Sequence, residues 1–88
     1  MTARILKIQG HVQGVGFRYW TYRTARLMKL KGMVANERDG SVMVFVEGPD
    51  PVVADFIREM EKGCPGSLVR SVEVRTVPVR NLPDFEIG

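Results

Sequence analysis

The chain has 88 residues, 44% of them hydrophobic and 26% charged, with a formal net charge of +3. A chain of this length supports one hydrophobic core that hides roughly 60% of the unfolded surface, so residues 1–88 are expected to form one domain, and the composition is that of a globular rather than a disordered protein. One cysteine, Cys64, and one histidine, His11, exclude an intramolecular disulfide and a His/Cys metal cluster, so chemistry with no metal and no cofactor is expected.

Thirteen Lys and Arg residues are scattered against ten carboxylates. That balance favours an anionic partner, and a small phosphorylated molecule fits it as well as nucleic acid does. Met1-Thr2-Ala3-Arg4-Ile5 runs straight into a strand-like pattern with no signal-peptide features. No segment approaches the roughly 18 apolar residues that span a bilayer. A cytoplasmic protein with no membrane association is expected by elimination.

In chain order, Arg4 to Gln9 reads as a strand halted by Gly10, with Leu6 and Ile8 on one face. A glycine loop follows. From Phe17 to Met28 the residues Phe17, Trp20, Thr21, Thr24, Ala25 and Met28 recur at helical spacing and predict a first helix. Gly32 separates it from Met33-Val34-Ala35-Asn36, and Asp39-Gly40 turns the chain into Val42 to Val46, which completes a hairpin.

Asp50-Pro51 predicts a helix start, with Asp50 as N-cap and Pro51 at the first helical position. Val53, Phe56, Ile57 and Met60 then mark one face of this second helix, and Gly63 sits where its end favours positive φ. After Cys64-Pro65-Gly66, Ser71 to Val77 alternates as a strand, and Phe85-Glu86-Ile87 adds a short last one. The order β-α-β-β-α-β is that of an α+β, ferredoxin-like split βαβ sandwich, an antiparallel sheet with both helices on one face.

The chemistry concentrates in Gly10-His11-Val12-Gln13-Gly14-Val15-Gly16-Phe17-Arg18, between the first strand and the first helix. There the backbone N–H groups and the positive end of a helix converge on an anion. Gly14 and Gly16 can take positive φ and carry no Cβ to obstruct a close ligand. Arg18, in the first helical turn, adds a charge-assisted contact to phosphate oxygens.

This stretch resembles the signature of the acylphosphatase family, Gly-x-Val-Gln-Gly-Val-Gly-Phe-Arg, at every specified position. A second family segment, Gly-Trp-Val-x-Asn-x-x-Asp-Gly-x-Val, is answered by Gly32 to Val42 with Met33 in place of the Trp. The resemblance runs through Glu47-Gly48 to Phe85-x-Ile87, essentially the whole chain. It implies hydrolysis of carboxylic-phosphoric mixed anhydrides. Gln13, Gly14, Val15, Gly16, Phe17 and Arg18 would hold the phosphate, and Arg18 and Asn36 would be catalytic, with Asn36 orienting water. The implied partner is a small acyl phosphate, bound by a monomer without nucleic acid.

Strand parity supports Asn36 separately, because it shares a face with Val34, which should point toward the helices. His11, in the outer turn of the loop, is read as solvated, and Cys64 as an inert or surface thiol. Arg23, Arg26, Lys29 and Lys31 read as a solvated helix face. Tyr19, Trp20 and Tyr22 read as packing residues, one of which could line the acyl end of a pocket.

Met33, Met43 and Phe45 fall on the sheet face without helices, either as a self-association surface or as scattered apolar exposure. Two competing functions stand beside the hydrolase. One is an RNA platform, which needs stacking aromatics on the two central strands, with Phe45 as a member. The other, suggested by the resemblance, is a domain that captures carbamoyl phosphate for a larger maturation enzyme, against which the short chain argues. The acyl group, and whether the Gly88 carboxylate lies near Arg18, stay open.

Overall fold

The computed structural model describes residues 1–88, which form β1 (Thr2–His11), α1 (Phe17–Leu27), β2 (Lys31–Asn36), β3 (Val42–Gly48), α2 (Asp50–Lys62), β4 (Leu68–Val77) and β5 (Phe85–Ile87). The strands make one sheet in the order β4-β1-β3-β2-β5. β1 lies antiparallel to β3 and β4, and β2 antiparallel to β3. β5 runs parallel to β2, so the expected antiparallel sheet acquires a short parallel edge and is mixed.

Period-two alternation delivers Leu6, Ile8, Val34, Val42, Val44, Val46 and Phe85 to one face of the sheet, where they join Phe17 and Ala25 of α1 and Val53, Phe56 and Met60 of α2 in a single buried cluster. Each fully buried Leu, Ile or Phe contributes about 1.5–3 kcal/mol, which is how so short a chain holds two helices on a sheet.

Local chemistry sets the boundaries. α2 begins one residue before the expected place: the Pro49 carbonyl accepts from the N–H groups of Val52 and Val53, both at 3.0 Å, so Pro49 is the cap. Asp50 makes no side-chain cap and lies in the first turn near the helix's positive end. α1 closes on Lys29, a non-glycine residue at φ 60, with the Leu30 N–H donating to Ala25 O at 2.9 Å and the Lys29 N–H to Arg26 O at 3.0 Å. The chain is therefore already in β2 at Gly32, which ends no helix. A Cβ there would stand 1.8 Å from Phe45 O of the adjacent strand.

Gly10 likewise does not end β1. The strand continues to His11 through a register shift between Gln9 and Gly10. Gly10 has φ +138, and a Cβ on it would meet Leu68 O at 2.0 Å. Only glycine lets β4 approach so closely at the bulge.

The open face of the sheet is covered in its middle. Residues 78–84 cross it between β4 and β5, and the buried Glu47 fastens them: its Oε1 accepts from the Arg80 and Asn81 N–H groups at 2.7 and 3.3 Å, and its Oε2 from Leu82 N–H at 2.6 Å. The Arg80 guanidinium lies 4.4 Å from the centre of the Phe45 ring. Phe45 is thus on a central strand but buried. It offers no ring for base stacking, and the apolar face shrinks to partly exposed Met33 and half-buried Met43. Cys64 is also buried, within the main core, rather than a surface thiol.

Candidate active site

Two buried side chains, Val12 and Phe17, anchor the ends of the loop, and the residues between them stand at the surface or half-buried. Gly14 has φ +75 and Gly16 φ +80, yet a Cβ at either would meet nothing within 4 Å. The dihedral angle, not crowding, requires glycine there, and the space before the loop stays open. Among the backbone hydrogen bonds made outside helices and strands, none is donated by residues 13 to 19. The first N–H of α1 to find a partner is Trp20, to Gly16 O at 3.0 Å. The opening N–H groups of a helix lack intrahelical acceptors, and here they stand beside the signature loop.

Gln13, Gly14, Gly16, Phe17, Arg18 and Asn36 face one concavity of about 430 Å³, with Tyr19 and Ile87 also at its wall. The structure therefore brings together every expected site residue except the side chain of Val15, which packs on the core. The Val15 N–H donates no backbone hydrogen bond within the protein. Arg18 makes no ion pair or hydrogen bond with another protein group. The Gly88 carboxylate forms no ion pair with it, and the Gly88 N–H donates to Val34 O at 2.7 Å. His11 and Cys64 stand outside the concavity.

Asn36 ends β2 on the helix side, opposite Val42 of β3, as strand parity predicts. The turn beyond it is stiff. The Glu37 N–H donates to Ser41 O at 2.9 Å, and Asp39 accepts from the Ser41 N–H at 3.0 Å, the Ser41 hydroxyl at 2.5 Å and Lys7 Nζ at 3.0 Å. The Ser41 hydroxyl and N–H, then Lys7, hold the Asp39 carboxyl far below the usual carboxylate range, and Asp39 in turn raises Lys7.

Sequence reasoning missed the role of the Gln13 side chain. Its Nε2 donates to Glu37 O at 2.7 Å and Ser41 O at 2.8 Å, tying the loop to the turn that follows Asn36. Backbone acceptors carry no residue signature, so nothing in the sequence announced this tie. Gln13→Leu is expected to lower kcat for acetyl phosphate roughly tenfold by loosening Arg18 against Asn36, with far-UV circular dichroism unchanged. An undiminished kcat would show that the tie positions nothing.

A second feature the sequence hid is where the expected strand β5 sits, parallel to β2 and tied to α1. The Arg26 guanidinium pairs with Asp84 at 2.9 Å and donates to Phe85 O at 3.2 Å, fastening α1 to the entry of this strand. The Phe85 N–H first, and Arg26 with it, hold the Asp84 carboxyl below its ordinary value. A groove of about 490 Å³ between α1 and α2 is lined by Asp55, Arg58, Glu59 and Lys62, which pair with one another, Arg58 with Asp55 and Lys62 with Glu59.

Comparison with known proteins agrees with this geometry. The profile of the Acylphosphatase family matches residues 4–87. The chain is 42% identical over 87 residues to an acylphosphatase of Pseudothermotoga lettingae, covering 99% of this chain and 98% of that one. The crystal structure of acylphosphatase from Bacillus subtilis superposes with a TM-score of 0.97 at 34% identity, over 100% of this chain and 99% of that one. A full-length HypF, crystallised in a phosphate- and nucleotide-bound form, contains a similar unit, with a TM-score of 0.88 at 36% identity over 99% of this chain and 12% of that one. A family match over nearly the whole length, joined to the same fold and the complete signature loop, means that the chain belongs to the acylphosphatase family.

Proposed function

We propose that the protein hydrolyses acyl phosphates to a carboxylate and inorganic phosphate without a metal ion. The N–H groups of the Gln13–Phe17 loop and the Arg18 guanidinium hold the phosphate, and Asn36 orients the attacking water. The observation that carries the reading is the single concavity onto which this loop, an unpaired arginine and Asn36 all open.

The chemistry asks for little else. Water oxygen bonds to phosphorus as the bond from phosphorus to the acyl oxygen breaks, and the products are a carboxylate, phosphate and a proton passed to solvent. The leaving group's conjugate acid has a pKa of roughly 4 to 5, so it departs without a general acid. A loose, metaphosphate-like transition state demands little of the nucleophile and leaves positioning and charge stabilisation to the protein. Arg18 and the loop supply the charge stabilisation, and an amide oxygen at Asn36 accepts from water.

The deciding assay is acetyl phosphate hydrolysis with EDTA present and inorganic phosphate as competitor. Turnover that survives the chelator and is competitively inhibited by phosphate is expected. Absence of turnover would overturn the hydrolytic reading, and loss of turnover on adding EDTA would overturn its metal independence. Salt-sensitive binding of single-stranded RNA without turnover would favour the binding-module reading instead.

A further inference from the structure

The signature loop accounts for the phosphate but not for the rest of the concavity. A phosphate is a compact five-heavy-atom anion, smaller than a concavity of about 430 Å³. Two of the chain's large exposed hydrophobic residues stand at the remaining wall, Tyr19 at 58% and Ile87 at 39% exposure. They come from different elements. Tyr19 is the third residue of α1, immediately after Arg18, and Ile87 is the last residue of β5, opposite Val34 in the neighbouring strand.

Both residues are firmly backed. The Tyr19 ring lies 6.1 Å from that of Tyr22, and Tyr22 lies 6.5 Å from the buried Phe85, so a row of rings runs from the core to the lip of the site. Ile87 is fixed by strand pairing and by the Gly88 N–H on Val34 O at 2.7 Å. No carboxylate side chain lines the concavity, and its one charged side chain, Arg18, faces the phosphate end. A rigid apolar lip beside an anion cradle suits a ligand that is charged at one end and apolar at the other.

We propose that Tyr19 and Ile87 form the acyl subsite, which selects acyl phosphates whose carbonyl carries an aromatic or branched apolar group. This rests on the hydrolytic reading above and specifies its substrate class. A benzoyl group offers these two side chains far more apolar surface to bury than an acetyl group does.

The test compares kcat/KM for benzoyl phosphate and acetyl phosphate in the unsubstituted protein and in Tyr19→Ser, Ile87→Ser and Tyr19→Phe. Comparing each variant with the unsubstituted protein cancels the intrinsic reactivity of the two anhydrides. Each serine variant is expected to lower the benzoyl-to-acetyl ratio roughly tenfold, the scale on which apolar pockets discriminate, while Tyr19→Phe keeps it. Calorimetric binding of phenylphosphonate against methylphosphonate, which needs no turnover, should show the same loss. Ratios unchanged in both serine variants would overturn the subsite. A protein inactive toward both anhydrides would overturn the hydrolytic reading, with the phosphonate ratio still deciding the subsite.

Discussion

Arg18→Gln is expected to reduce acetyl phosphate hydrolysis by at least about a hundredfold while leaving the fold intact. A preorganised donor aimed at developing charge contributes about 3 to 4 kcal/mol to the transition state, and each 1.4 kcal/mol is roughly tenfold in rate. Glutamine can keep one hydrogen bond but neither the positive charge nor the two-pronged geometry. The fold should not notice, because the guanidinium has no partner in the protein. Its loss removes no cap, pair or packed core group, so the stability change should stay within about 0.5 kcal/mol. Steady-state kinetics, phosphate inhibition and a thermal melt read the three consequences separately. Turnover near the unsubstituted level would remove Arg18 from the site, and a melt lowered by many degrees would show that it holds structure.

Glu47→Gln should have the largest effect on stability among the polar residues. The carboxylate is buried and accepts three backbone N–H groups from the segment that crosses the open face. An amide keeps one acceptor oxygen and turns an NH₂ group against the remaining donors, leaving buried N–H groups without a partner. A loss of about 3 kcal/mol follows, or a midpoint lowered by more than about 10 °C in a domain of this size.

The pH dependence gives a second reading of the same group. Burial alone would push the Glu47 carboxyl up, but the N–H groups of Leu82, Arg80 and Asn81, with the charge of Arg80, outweigh it and hold the pKa below the ordinary 4.5. A carboxylate depressed in the folded state stabilises it above the unfolded pKa, and that contribution disappears as pH falls through the folded value. The gap in midpoint between the parent and Glu47→Gln should therefore be full above pH 5 and shrink below about 4.5. A gap that stays constant to pH 3 would mean that the charge on Glu47 is not what holds the segment.

Glu47 also shows why part of the molecule could not be read in advance. In Val42-Met43-Val44-Phe45-Val46-Glu47, alternation assigns Glu47 to the face without helices, where a carboxylate looks solvated. Its partners are main-chain N–H groups more than thirty positions later in the sequence, and those carry no residue code. The covering segment, Pro78 to Asp84, has neither period to reveal where it lies. β5 is three residues long and gains its place from pairing with β2, which also explains why Ile87 was not placed at the site.

The legible parts were those with strong local chemistry. The apolar spacing of α2, the hairpin around Asp39-Gly40 and the parity of Asn36 each follow from short-range geometry. The signature loop was legible because left-handed glycines before a helix have few alternative uses once an arginine follows them. Phe45 was expected to be exposed; the face assignment was right, but what covers the face comes from far along the chain.

The bulge at Gly10 carries a consequence for how the site comes into being during folding. The strand that leads into the anion loop pairs on one side with β3 and on the other with β4, so that Ala3 stands opposite Glu47 and also opposite Val77. Pairings between such distant residues form late, because loop closure must precede any reward from contact. A chain extending only to Gly66 would already contain the signature, Arg18 and Asn36. It would still lack the Leu68 to Arg70 backbone packed against Gly10, and with it the pairing of Gly10 and His11 that fixes the strand where it enters the loop.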